Sequence, residues 1–198
     1  MEASVYKKYR IVMKMGSFYK FLAVIFSLLY GSLIVFLLQL QYKLGSGDIG
    51  SYLHFFNQFD GKGAPELSLA QDGAFRLTIF FLRDLLSVQA ITILSAFGFI
   101  TSTVIAYIFL TSIKSEKRLI YLLPLFAMVF LSPVAQVLFS SNIRSGIAFT
   151  ILMISITYLK GLPRLAFFGL SSIVHFSMIP FVGLYILFHI KNRFSFDG

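Results

Sequence analysis

Apolar runs of about 20 residues recur along the chain, and they decide most of what it can become. The first is FLAVIFSLLYGSLIVFLLQL (21–40). A helix rises about 1.5 Å per residue, so a run of about 20 residues covers the ~30 Å hydrocarbon core of a bilayer. The expected fold class is an all-α integral membrane protein. The longest hydrophilic stretch, roughly 43–73, is too short and too poor in apolar residues to build a core of its own. Residues 1–198 therefore read as one polytopic membrane domain.

Five spans are expected, at about 21–40, 90–113, 119–139, 146–159 and 165–190. The first is longer than a signal-peptide core and is followed by no A-x-A site, so it reads as a retained span. Pro124 and Pro133 mark kinks in the third. The fourth holds only 14 residues, or about 21 Å. Residues 41–89 form an outer loop and a segment, AFRLTIFFLRDLLSV (74–88), in which Arg76 and Arg83 stand seven apart on one helical face continued by Ser87. That segment reads as an amphipathic or re-entrant helix at the outer interface.

The charges orient this arrangement. Lys7, Lys8, Arg10, Lys14 and Lys20 precede the first span against one acid, Glu2. The positive-inside rule then places the N-terminus in the cytoplasm. The loop 41–73 carries Asp48, Asp60, Glu66 and Asp72 against Lys43 and Lys62, which fits the outer face. Ten of the 17 Lys and Arg residues fall inside and seven outside, and Lys191 and Arg193 of the tail, placed outside, run against the rule. A formal charge of +9 spread beside apolar runs sets membrane topology and argues against nucleic acid as a partner. Cysteine is absent, which removes disulfides, thiolate metal sites and thiol nucleophiles. No metal-binding spacing, P-loop, nucleophile elbow or dinucleotide fingerprint occurs.

Arg144, in LFSSNIRSGIAF (138–149), is a lone cation between apolar runs. The plain reading is an interfacial arginine whose head group reaches water. Two features point further. The fourth span is too short to clear the membrane, which draws Arg144 toward or below the outer interface. The residue also opens a helix, where the dipole disfavours a cation. An arginine beside free N–H groups at a helix start is a ready site for an anion such as phosphate.

His175 lies 11 residues past Arg164 in the fifth span, about 16 Å deep. It is either a packing histidine bonded to a neighbouring helix or a general base in a buried site. Ser171 and Ser172 precede it by four and three residues and can share its face and orient the ring. Spans four and five are antiparallel neighbours, with a vertical offset of about 10–15 Å expected between Arg144 and His175. Asp48 and Tyr52 stand four apart in GSGDIGSYLHFF; they share a helical face, or Asp48 is a simple N-cap.

The order GSGDIGSYLHFF, DGAFRL, SSNIRSGIAFTILMISITYLKG and RLAFFGLSSIVHFSMIPF resembles the EpsG-like branch of the Wzy-type polysaccharide polymerases over roughly 45–190. The motif positions are Asp48 with Tyr52, Asp72 with Phe75, Arg144 with Ala148, and His175 with Ser177; Ser171 stands where the family often has Ala. The resemblance implies a bacterial inner-membrane glycosyltransferase of O-antigen, capsule or exopolysaccharide synthesis. Such a protein joins repeat units carried on undecaprenyl pyrophosphate at the outer side of the membrane. It would use no metal, cofactor or nucleotide sugar, and it would meet membrane lipid and polysaccharide-assembly partners. The roles implied are Arg144 for the departing pyrophosphate, with Arg76 and Arg83 as weaker candidates, and His175, then Asp48, as base; Tyr52 and Asp72 would contact substrate. Family members typically have ten or more spans, so the chain resembles a shortened member, active or inactive. Two other functions compete. One is a non-catalytic membrane subunit of polysaccharide synthesis or export. The other is a small proton-coupled transporter using His175, although no internal repeat is found.

Overall fold

The computed structural model describes residues 2–45, 50, 52, 75, 78, 80–85, 87–112 and 126–194. Among the described residues every regular element is helical and none is a strand. Helix α1 runs Glu2–Leu44 and α2 runs Ala90–Ser112. Two segments are long and apolar enough to cross a membrane, Phe18–Leu44 and Ala90–Ser112. Much of their apolar surface faces outward, with Phe21 60%, Leu29 60% and Phe36 62% exposed, which suits lipid and not water.

α1 and α2 pack side by side in opposite directions: Gly31 faces Phe99 and Thr103, whereas Gln39 Nε2 donates to Ser95 Oγ at 3.0 Å. Small residues let them approach. Ala23, Ser27 and Gly31 repeat every four residues on α1, and Gly98, Ser102 and Ala106 do so on α2; all six are buried. A Cβ on Gly31 would collide with the Thr103 side chain. This is the small-xxx-small packing that holds helices together where lipid supplies no hydrophobic drive. The buried hydroxyls bond back into their own helices, Ser27 Oγ to the Ala23 carbonyl at 2.6 Å and Ser102 Oγ to that of Gly98 at 2.5 Å.

The segment expected as a third span is broken. Residues 126–130 are helical, Leu131 and Ser132 form a turn, and α3 covers Pro133–Gln136. Pro133 occupies the first helical position, where its missing N–H costs nothing, and the Ala135 N–H donates to Ser132 Oγ at 3.3 Å. A π-type turn, Val137–Ser141, follows and closes with the Asn142 N–H donating to the Val137 carbonyl at 2.7 Å. The chain then bends by 100° into α4, Ile143–Tyr158. If that bent pair counts as one span, the described residues hold three. Pro124 lies outside the described residues.

The expected single span 165–190 is not formed. Helix α5 covers Gly161–Val174, His175 is extended at φ −152° and ψ 117°, a 3-10 turn covers Phe176–Met178, and α6 covers Ile179–Phe194. Pro180 gives the reason. In a continuous helix its ring would meet the Phe176 carbonyl, but in the first turn of a new helix it is tolerated. The two helices double back on each other. Residues 21 apart in one helix would be about 32 Å apart, yet Arg164 Nη1 donates to the Tyr185 hydroxyl at 2.7 Å and the Phe168 and Tyr185 rings lie 5.2 Å apart. At 14 and 16 residues, neither helix is long enough to cross alone.

In the segment before α2, residues 75, 78 and 80 are helical and Phe81–Leu85 form a π-type turn. Ser87 does not extend a helical face. It adopts a left-handed φ of 54°, and the Val88 N–H donates to the Leu82 carbonyl at 3.3 Å, which ends the segment before α2.

Candidate functional site

Arg144 is the second residue of α4, so it does open a helix. It is half-buried, and its guanidinium carbon lies 5.7 Å from the centre of the Tyr52 ring. The Arg144 N–H also donates to the Tyr52 hydroxyl at 3.5 Å, a long bond. Stacking on an aromatic face holds a guanidinium by its plane, and a guanidinium's planar fork suits two-point contact with an anion. Asn142, which caps α4, gives no side-chain bond to the first N–H groups.

Tyr52 is itself fixed. It is buried and meets Phe75 edge-on, with ring centres 6.0 Å apart. Both belong to one buried cluster with Leu38 of α1, Ile93 and Leu94 of α2 and Ile143 of α4. Residues from four separate stretches of sequence (38, 52, 75 and 93–94) thus converge at the first turn of α4.

His175 forms the tip of the α5–α6 hairpin. Its height relative to Arg144 follows from one hydrogen bond. Ser155 Oγ of α4 donates to the Arg164 carbonyl of α5 at 3.0 Å. Arg144 lies 11 residues before Ser155, and His175 lies 11 residues after Arg164. On antiparallel helices both rise about 16 Å from that bond, so they stand at one level. The expected offset of about 10–15 Å is therefore replaced by a near-zero one. The same neighbourhood packs tightly: Val174 and Met178, on either side of the tip, share a buried cluster with Ala148, one turn on from Arg144.

The two serines do not hold the His175 ring as expected. Because the helix ends at His175, they no longer share its face. Ser171 Oγ is buried and has no hydrogen-bond partner among the described residues, whereas its carbonyl accepts from the His175 N–H at 3.1 Å. Ser172 Oγ donates to the Phe168 carbonyl at 3.0 Å.

Arg83 is half-buried in the π-type turn after residue 80. Asp48, Asp72 and Arg76 lie outside the described residues. No cluster of three or more His, Cys, Asp or Glu that could hold a metal occurs among the described residues. One functional-looking residue escaped sequence reasoning: Arg164, expected as part of a basic turn, donates from Nε to the Leu159 carbonyl at 2.7 Å and stacks 5.7 Å from the Tyr185 ring centre. It is the staple of the hairpin.

Fold and site together describe a helical protein with apolar helices fit to span a bilayer and a stacked arginine beside a broken helix. The chain matches no family model, no curated protein and no solved structure.

Proposed function

We propose that the chain is a bacterial polysaccharide polymerase-like glycosyltransferase of the inner membrane, acting on undecaprenyl-pyrophosphate-linked repeat units at its outer face. The observation that carries this reading is the placement of the Arg144 guanidinium against the Tyr52 ring, itself edge-on to Phe75. All three belong to the motifs on which the resemblance to Wzy-type polymerases rests, and His175 of the fourth motif is level with them.

The chemistry needs two things. The bond between the anomeric carbon of the growing glycan and its pyrophosphate breaks, and the electron pair leaves on the pyrophosphate oxygen. Arg144 offsets that charge with a two-point contact, in a setting of low dielectric where such contacts are strong. A hydroxyl of the next unit forms the new glycosidic bond, and its proton passes to His175. Breaks in helices at membrane depth are tolerated where backbone lines a cavity, which suits a substrate site at His175.

A polymerase-null strain carrying the wild-type chain is expected to recover long glycan chains, and His175→Ala is expected to cut polymer formation by about 10²-fold or more. Wild-type chain that inserts in the membrane yet restores nothing would point to a non-catalytic subunit. Broken helices also occur in transporters. Proton uptake by vesicles that depends on His175, without polymer formation, would favour that reading.

The topology follows the charges. The N-terminus is cytoplasmic, α1 crosses outward and α2 returns, the segment before the 100° bend crosses outward and α4 returns, and α5–α6 enters from the inner side and goes back to it. The chain then makes four crossings in place of five. Lys191 and Arg193 join the inner side, which removes their conflict with the positive-inside rule. A reporter fluorescent only in the cytoplasm, fused after Gly198, is expected to light up. A dark fusion with an active periplasmic reporter would overturn the hairpin topology.

A further inference from the structure

The end of the bundle opposite Arg144 carries a groove between α1, α2 and α4. Its mouth, about 360 Å³, is lined by Lys20 of α1, Tyr107, Thr111 and Ser112 of α2, and Thr157 and Tyr158 of α4. It adjoins an apolar trough of about 300 Å³ walled by Val24, Leu28, Val104 and Ile108, and Tyr107 and Tyr158 line both. The two meet at Tyr107 and Tyr158, so the apolar trough begins where the polar mouth ends.

The mouth is built for an anion. Lys20 is its one charged side chain, exposed and in no ion pair among the described residues. Thr111 and Ser112 spend their protons on the carbonyls of Tyr107 and Ile108, at 2.7 Å each. The phenols of Tyr107 and Tyr158 and the Thr157 hydroxyl have no hydrogen-bond partner among the described residues, which leaves three donors beside the ammonium. Tyrosines and a long-stemmed lysine are the side chains that sit at the level of lipid head groups. From Lys20 to Leu28 the trough descends about 12 Å along α1, into apolar depth.

We propose that this groove binds one anionic glycerophospholipid, with its phosphate at Lys20, Tyr107, Thr157 and Tyr158 and an acyl chain in the trough. A free phosphate would use the mouth and gain nothing from the trough. A zwitterionic lipid would use the trough but carries no net charge for Lys20. The site is independent of glycosyl transfer and requires only that the helices lie in a bilayer.

Native mass spectrometry of the detergent-purified full chain tests it. The probes are phosphatidylglycerol, phosphatidylcholine with the same acyl chains, and inorganic phosphate. Wild type is expected to retain one phosphatidylglycerol about fivefold more tightly than phosphatidylcholine, the preference one interfacial lysine confers. Lys20→Gln, at an exposed position, should bring the two lipids level. Leu28→Trp should fill the trough and weaken both. Lys43→Gln, at the far end of α1, should leave the preference intact. A preference that survives Lys20→Gln, one that vanishes equally in Lys43→Gln, or lipid binding indifferent to Leu28→Trp would overturn the site. Displacement of phosphatidylglycerol by inorganic phosphate would assign the mouth to a free anion and overturn the lipid.

Discussion

Arg144→Ala is expected to lower polymer formation by about 10²–10³-fold, the usual cost of deleting one group that stabilises charge in a transition state. The same change should leave the folded chain nearly as stable as before. Two small terms oppose each other. Losing the stack on Tyr52 costs about 0.5–2 kcal/mol. Removing a cation from the first turn of α4 returns about 0.3–1 kcal/mol, because the helix dipole opposes it there. Arg144→Lys keeps the charge but loses the planar fork and the stack, and should restore only a small part of activity. The assay is complementation of a polymerase-null strain, read by glycan chain length, beside thermal melting of the purified variants. Full activity in Arg144→Ala would remove Arg144 from the mechanism. A large drop in melting temperature would make the residue structural instead.

Gly146→Val is expected to cost about 2–3 kcal/mol of stability. A Cβ at Gly146 would stand 2.8 Å from the Leu138 carbonyl oxygen and 3.3 Å from the Phe139 ring. The obstacle is backbone of the π-type turn, which cannot swing away as a side chain can. Relief would push that turn from α4 and tilt the first turn that carries Arg144. Gly169→Ala is the matched control. It lies inside α5 with nothing within 4 Å of its would-be Cβ, so helix propensity alone should act and raise stability by up to about 1 kcal/mol. Equal melting temperatures for Gly146→Val and wild type would show that the bend tolerates a side chain.

The apolar runs made the helical class legible, since the expected span 21–40 falls within α1 and the expected span 90–113 matches α2 up to Ser112. Arg144 at a helix start was also legible, because the lone charge stands where one apolar run gives way to the next. Hydropathy could not reveal the hairpin. Residues 165–190 are apolar on either side of His175, and an apolar count does not register direction. The signal was Pro180, whose ring forbids a helix running through Phe176. The contact of Arg144 with Tyr52 was hidden for another reason. The two are 92 residues apart, and only tertiary packing through Leu38 and Leu94 brings them together. The small-residue ladders of α1 and α2 were written in the spacing of Ala23, Ser27 and Gly31 and of Gly98, Ser102 and Ala106, a four-residue repeat that hydropathy does not weigh.

The 100° bend before α4 bears on which reaction wins. In the proposed topology Tyr158, which lines one pocket with Lys20, sits at the inner interface, and α4 lifts Arg144 only about 21 Å. A hydrocarbon core of ~30 Å then leaves the guanidinium about 9 Å beneath the outer boundary. Under the proposed function, a pyrophosphate held there would be drawn down from the head-group layer, and its glycosyl bond with it. Water is scarce at that depth, whereas a sugar hydroxyl delivered on its own lipid is not. Excluding water from a reactive centre suppresses hydrolysis. In that proposed reaction the short helix would bias the bond toward transfer to another sugar over loss to solvent.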